Sequence, residues 1–203
     1  MPLNANALVT LDELKSFMGI ALSDISKDTA LSIYINGISN KIEKTVGRKI
    51  MAADYIEKYP GTNSNELVLK HFPINAVTAV TYVCENQDSI SIDEYQYDIE
   101  DEEGILYKDN GWLLEGFSSY MSRLTNYPQR HIRVEYNGGF ADAPPDLKLV
   151  CLEYISDLYI ADNGKGGTLK SYSISDVKMD FRDEIKFSED QLATIKSYRG
   201  MHF

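Results

Sequence analysis

The spacing of apolar residues changes twice along this chain, and that change restricts the fold more than any single motif. Before Asp54 the apolar residues recur at three- and four-residue steps, as in Leu31, Tyr34, Ile35, Ile38, Ile42 and Val46. From Asp54 they alternate. After Pro144 the helical step returns in Leu147, Val150, Cys151, Tyr154, Ile155, Leu158 and Tyr159. Steps near 3.6 line one face of a helix, and steps of two line one side of a strand. The chain therefore reads as an α+β protein: a small helical bundle formed by both chain ends, with an inserted antiparallel β-sheet region. The expected division is 1–53 as the N-terminal helical pair, 54–143 as a β-rich acidic insertion, and 144–203 as the C-terminal helices with a β-like arm and tail.

Local signals mark the elements. Thr10 with Glu13 forms a capping box for a first helix carrying Leu11, Leu14 and Phe17 or Met18, and Gly19 fits its stop. Ser26 or Asp28 is the expected cap of the second helix. Gly47 ends it, and Arg48-Lys49 are expected to place positive charge by its last carbonyls. Asn36-Gly37 falls within that helix and weakens it. Candidate strands are Tyr55–Tyr59, Leu67–Lys70, Val77–Val83, Tyr95–Ile99, Ile105–Lys108 and Ile132–Tyr136, short and separated by turn residues, which favours antiparallel pairing. Asn110-Gly111, between Ile105-Leu-Tyr107 and Trp112-Leu-Leu114, is the strongest hairpin signal. Pro144-Pro145-Asp146 opens the third helix, which Asn163-Gly164 ends. A β alternation follows in Tyr172, Ile174, Val177, Met179 and Phe181. A second capping box, Ser188 with Gln191, starts a last helix with Leu192, Ile195 and Tyr198.

The net charge of −11 is concentrated. From Glu85 to Glu103 there are nine acidic residues and no lysine or arginine. Affinity for nucleic acid rests on clustered cations at phosphates, so this chain is not expected to bind DNA specifically. The fourteen tyrosines sit among acids or at core and interface positions, unlike a stacking platform, which interleaves aromatics with basic residues. No apolar run is long enough to span a membrane. The opening Met1-Pro-Leu-Asn lacks the basic and apolar regions of a signal peptide, so cytoplasmic synthesis is expected. Cys84 and Cys151 both have apolar neighbours and read as buried free thiols.

No catalytic, cofactor or metal site is expected. The three histidines, His71, His131 and His202, lack metal-ligand spacing. No Gly-x-Ser-x-Gly elbow occurs. Gly164-Lys-Gly-Gly-Thr168 lacks the earlier glycine of a phosphate loop and has a helix before it and a β-like run after it, so a flexible linker is the better reading. Asp98-Ile-Glu-Asp-Glu-Glu-Gly104 has its glycine in the wrong place for an EF-hand and no closing glutamate, so a solvated acidic loop is expected.

Four segments, taken in order, resemble a known family. They are Leu8-Val-Thr-Leu-Asp-Glu-Leu-Lys-Ser-Phe-Met-Gly-Ile20; the second helix ending Ile42-Glu-Lys-Thr-Val-Gly-Arg-Lys49; Leu69-Lys-His-Phe-Pro-Ile-Asn-Ala-Val-Thr-Ala-Val80; and Val134-Glu-Tyr-Asn-Gly-Gly-Phe140 with Pro145-Asp-Leu-Lys148. In this order they are similar to the tailed-phage head-tail connector (adaptor) proteins of the longer, β-containing type, from about Ala7 to Tyr159. The resemblance implies a structural, non-enzymatic protein of the virion neck, made in the host cytoplasm. It implies binding below the portal as a ring, usually of twelve copies, that extends the DNA channel and offers a platform for the stopper and tail. The implied partners are the portal protein, a stopper or tail-completion protein and further copies of the chain. DNA passes through without specific binding, and no membrane or cofactor is involved. The C-terminal segment of such proteins often docks on the portal; here that is Tyr198, Arg199, Met201, His202 and Phe203. The acidic surface of Asp98, Glu100, Asp101, Glu102 and Glu103 is expected to face the channel, where repulsion lets DNA slide; a neutral or basic inner wall would sink that idea. Other readings are another neck or tail-completion protein, such as a mainly β stopper, and a small hydrolase or nucleotide-binding enzyme, for which the sequence shows no site.

Overall fold

Where the chain carries a helical period it forms helices, and where it alternates it forms strands. In the computed structural model, which describes residues 2–83, 89–112, 132–163, 171–174, 177–180 and 186–200, the elements run as follows. Helices α1 (Leu11–Phe17) and α2 (Asp28–Val46) come first. Strands β1 (Ala53–Tyr59), β2 (Glu66–Val68), β3 (Ile74–Tyr82) and β4 (Ile90–Ile92) follow, then a 3₁₀ turn (Glu94–Gln96), β5 (Asp98–Glu100), β6 (Ile105–Tyr107) and β7 (Ile132–Gly138). The chain continues through α3 (Pro145–Asn163), β8 (Ser171–Ile174), β9 (Val177–Asp180) and α4 (Glu189–Ser197). The fold is α+β, with helices at both ends and a β region inserted between them in sequence. It divides into two units, Met1–Gly47 with Ala143–Arg199, and Arg48–Asp142 with Gly200–Phe203.

In the helical unit, both capping boxes form as the residues dictate, Thr10 with Glu13 on α1 and Ser188 with Gln191 on α4. The start of α2 differs from expectation. Lys27 is its N-cap and supplies no side-chain bond. Ser26 is turned away, its hydroxyl donating to Asp24 at 2.6 Å, and Asp28 is held by Lys15 at 2.5 Å. A local turn bond has taken Ser26, and an ion pair to α1 has taken Asp28. The Asn36-Gly37 step does not break α2. Asn36 accepts from the Asn4 N–H at 2.9 Å and donates to the Pro2 carbonyl at 3.2 Å. The Ser39 hydroxyl accepts the Leu8 N–H at 3.1 Å, so the polar residues on α2 pin down the N-terminal segment. The apolar faces close over Leu14, Leu31, Ile35, Ile42, Leu147, Cys151, Ile155 and Ile195, each fully buried. At the rim Lys41 donates to the Tyr154 hydroxyl at 2.6 Å and lies over the Phe187 ring. β8 and β9 pair antiparallel. Among the expected members of that alternation, Phe181 lies outside the described residues, as does the glycine loop before it. No helix of the described residues is long and apolar enough to cross a membrane.

The β unit contains an antiparallel sheet ordered β1-β7-β3-β4 and a smaller one ordered β2-β6-β5. The central strand β7 comes late in the chain and pairs with both β1 and β3. Alternation on β7 sends Ile132, Val134 and Tyr136 inward. There they meet Leu67, Leu69, Val80, Ile92, Leu106 and Trp112 in one core. Gly139 has φ +108, and a Cβ there would stand 2.8 Å from the Met51 carbonyl carbon, so the chain can follow β7 this closely past Met51 only with glycine.

Several expected strands are corrected. Leu67–Lys70 is strand only as Glu66–Val68, because the Lys70 N–H turns to the Tyr59 hydroxyl. Val77–Val83 begins earlier, at Ile74. Tyr95–Ile99 is split between the 3₁₀ turn and β5, and β4 was not foreseen. Among the described residues the Asn110-Gly111 hairpin does not form. The Trp112 N–H donates to the Ser64 carbonyl, and the Trp112 carbonyl accepts from Thr62 and Asn63, so this turn sends the chain to the residue 62–64 turn while β6 pairs with β2 and β5. Leu113 and Leu114 lie outside the described residues. The hairpin in this region is instead β5–β6, closed by the acidic turn.

Candidate functional site

Three places carry the residues that sequence and geometry single out. The first is the acidic turn. Gly104, at φ +76, donates to the Glu100 carbonyl at 2.9 Å, and the Asp101 and Gly104 carbonyls accept from Ile74 and Leu69. The turn is thus fastened by backbone bonds while the side chains of Asp98, Glu100, Asp101, Glu102 and Glu103 are all exposed. Only Asp101 turns back, accepting from the Glu102 N–H at 3.0 Å. The structure brings these five carboxylates together on one hairpin end. Glu85 and Asp88, in the same acidic run, lie outside the described residues.

The second is the C-terminal segment. Tyr198 donates to Asp146 at 2.7 Å and Arg199 donates through Nε to the Thr45 carbonyl at 3.1 Å. Both are tied within the helical unit, Tyr198 to the first turn of α3 and Arg199 to the last turn of α2. Met201, His202 and Phe203 lie outside the described residues.

The third place was not foreseen. Tyr55, Glu57 and Tyr59 alternate along β1 onto the same side as Tyr136 of β7. The Glu57 carboxylate accepts from both the Tyr59 and Tyr136 hydroxyls, the latter at 2.9 Å, and from Lys70 at 3.2 Å. The two phenol oxygens accept in turn from the backbone N–H groups of Lys70 (3.1 Å) and His71 (3.2 Å). His71 stacks on Tyr55 with centroids 3.9 Å apart. The next residue, Phe72, is covered by the Arg48 guanidinium at 3.6 Å. Arg48 Nη1 also donates to the Phe72 carbonyl, so this guanidinium fastens the strap. The signal available in the sequence was three polar or aromatic residues in alternate register where a core-facing strand should be apolar.

This cluster holds a strap in place and is poorly suited to chemistry. Burial pushes both phenols, Tyr59 and Tyr136, well up, so they stay protonated donors. Burial alone would raise the Glu57 carboxyl, yet the hydrogen bonds from Tyr59, Tyr136 and Lys70 outweigh it and hold it below its ordinary value. Burial lowers His71, against the pull of Glu57. Both shifts make the unfolded chain bind more protons than the folded one. Stability is therefore present at neutral pH and lost on acidification, first as His71 charges below the ordinary histidine range and then as Glu57 takes a proton below the ordinary carboxylate range. Glu57→Gln is expected to flatten the second step of a urea-stability profile against pH. An unchanged acid limb would show that Glu57 does not set it. The one described cysteine, Cys151, is buried, and burial pushes its thiol up to about 12 despite a bond with Ser39, so it is inert. Cys84, His131 and His202 lie outside the described residues, and no metal-binding cluster of His, Cys, Asp and Glu occurs among those described.

The family described as head completion protein matches residues 7–199 of the chain. None of the curated proteins matches the sequence. Several solved structures share the fold, among them two from GTA particles. One is from the neck of an empty GTA particle computed with C6 symmetry, 15% identical, covering 100% of this chain and 97% of that chain with a TM-score of 0.58. The other is from the virion of a native gene transfer agent (GTA) particle, 15% identical, covering 100% and 94%, with a TM-score of 0.59.

Proposed function

Because the chain belongs to the head completion protein family, we propose that it is a structural protein of the neck of a tailed phage or phage-like particle, binding below the portal as a ring that extends the DNA channel and carries the stopper or tail. The observation that carries this reading is the family match over residues 7–199, which takes in both the helical ends and the β insertion. The likeness to chains of gene transfer agent particles over their near-full length agrees with it. The role needs no catalysis, in keeping with phenols and a thiol that burial holds protonated. A fastened hairpin end bearing five exposed carboxylates suits a wall past which DNA slides, since like charge disfavours phosphate contacts.

The test is co-purification with the portal protein encoded nearby, imaged by electron microscopy. A new ring of density below the portal is expected, with the 98–103 turn toward the lumen. No added density on a competent portal would overturn the adaptor role, and a ring seated beyond another protein would favour the stopper. The docking segment is tested alongside. Removing Met201–Phe203 spares the Tyr198–Asp146 and Arg199–Thr45 bonds, so the protein stays folded, and portal binding is expected to fall. Unchanged binding would remove those three residues from the interface.

A further inference from the structure

Strand β1 stands at the end of the sheet order β1-β7-β3-β4, and among the described residues its other edge pairs with no strand. Its outward face presents Asp54, Ile56 and Lys58, all exposed, with Ile56 at 65%. An open edge of this length with an exposed isoleucine is a template for another strand.

The charges decide which strand fits. An acid stands two residues before Ile56 and a base two residues after it. When a second β1 runs antiparallel to the first with the two Ile56 residues opposite each other, Asp54 of each copy faces Lys58 of the other on the same side of the sheet. Opposite charges directly across an antiparallel pair stabilise it, and like charges destabilise it. The register is also specified. Sliding by two residues sets Asp54 or Lys58 against Ile56 and loses both pairs. Sliding by four sets Asp54 against Asp54 or Lys58 against Lys58.

The strand behind supports this arrangement. Arg133, Glu135 and Asn137 of β7 lie opposite Lys58, Ile56 and Asp54. Arg133 and Glu135 neutralise each other at 2.9 Å, and Asn137 donates to Asp54 at 2.7 Å, orienting its carboxylate. On a chain of net charge −11, this face carries balanced charge and so lets a second copy approach.

We infer that β1 is the docking edge for a second copy of this chain, forming an antiparallel β1–β1 pair centred on Ile56 in the free protein. Such a contact is isologous and closes at two copies, whereas a ring needs a heterologous contact. The dimer therefore describes the protein before assembly and does not rest on the ring reading.

Sedimentation equilibrium of the full chain tests it, with circular dichroism to confirm that each variant is folded. The wild type is expected to be a dimer at micromolar concentration. Lys58→Asp sets acid against acid twice and Asp54→Lys sets base against base twice, so each is expected to weaken the dimer about tenfold or more. The double variant, Asp54→Lys with Lys58→Asp, restores both pairs with reversed polarity and is expected to recover the dimer. A monomeric wild type, single variants that stay dimeric, or a double variant no tighter than the singles would each overturn the proposal.

Discussion

Trp112→Ala is expected to cost the β unit about 3–5 kcal/mol, the largest loss from any single side chain in it. Trp112 is fully buried and sits in the core formed by Leu67, Leu106, Val80, Val134 and their neighbours. Its indole N–H donates to the Leu106 carbonyl at 2.9 Å, so truncation both opens a cavity and removes a buried hydrogen bond to β6. Trp112→Phe separates the two effects. It keeps most of the apolar contact and loses the donor, so a smaller cost of about 1–3 kcal/mol is expected. Because the chain has a single tryptophan, wild-type fluorescence during urea unfolding reports on this unit alone, and circular dichroism serves for the variants. If Trp112→Ala unfolded within about 1 kcal/mol of the wild type, the residue would not be the keystone that its burial suggests.

Lys15→Ala is expected to cost about 3 kcal/mol in the helical unit, at the low end for a broken buried ion pair because Asp28 keeps some contact with water. Lys15 is 1% exposed. Its ammonium lies 2.5 Å from Asp28 and 3.3 Å from the Leu22 carbonyl. One side chain on α1 therefore fixes both the first turn of α2 and the connection before it, and removing it leaves the carboxylate and the carbonyl without their donor. Lys15→Met with Asp28→Asn keeps the volume while discharging both partners, and is expected to recover much of the loss. Thermal unfolding of the three proteins decides the matter. A double variant no more stable than Lys15→Ala would point to lost packing rather than a stranded charge.

Neither residue stood out in the sequence. Lys15 reads as the solvated residue of a short amphipathic helix, and only the return of the chain at Leu22 and Asp28 buries it. Trp112 reads from the sequence as the first residue of a strand after Asn110-Gly111. The turn signal was real, since Gly111 adopts φ +71, yet which backbone Trp112 would meet depended on the residue 62–64 turn, nearly fifty residues away in sequence. The acidic residues 98–103 were legible as an exposed cluster because charges leave water only at high cost. Their fastening through Ile74 and Leu69 was not, because those bonds join segments distant in the chain. At the C-terminus, Tyr198 and Arg199 looked unburied because little helix remained to cover them; their partners Asp146 and Thr45 lie on α3 and α2.

Whatever short-range physics controls was legible along the chain. The two capping boxes, the Gly47 stop, the change of apolar period and the alternation on β7 each depend on residues within a turn or a few pleats, and these were enough to define helical ends around an inserted antiparallel β region. The pairing of β7 with both β1 and β3, the Glu57–Tyr59–Tyr136 strap and the burial of Lys15 arise only in the folded chain. Each of these joins residues through donors and acceptors that many other partners could satisfy locally. The choice among them is made by the shape of the assembled core and not by any spacing along the chain.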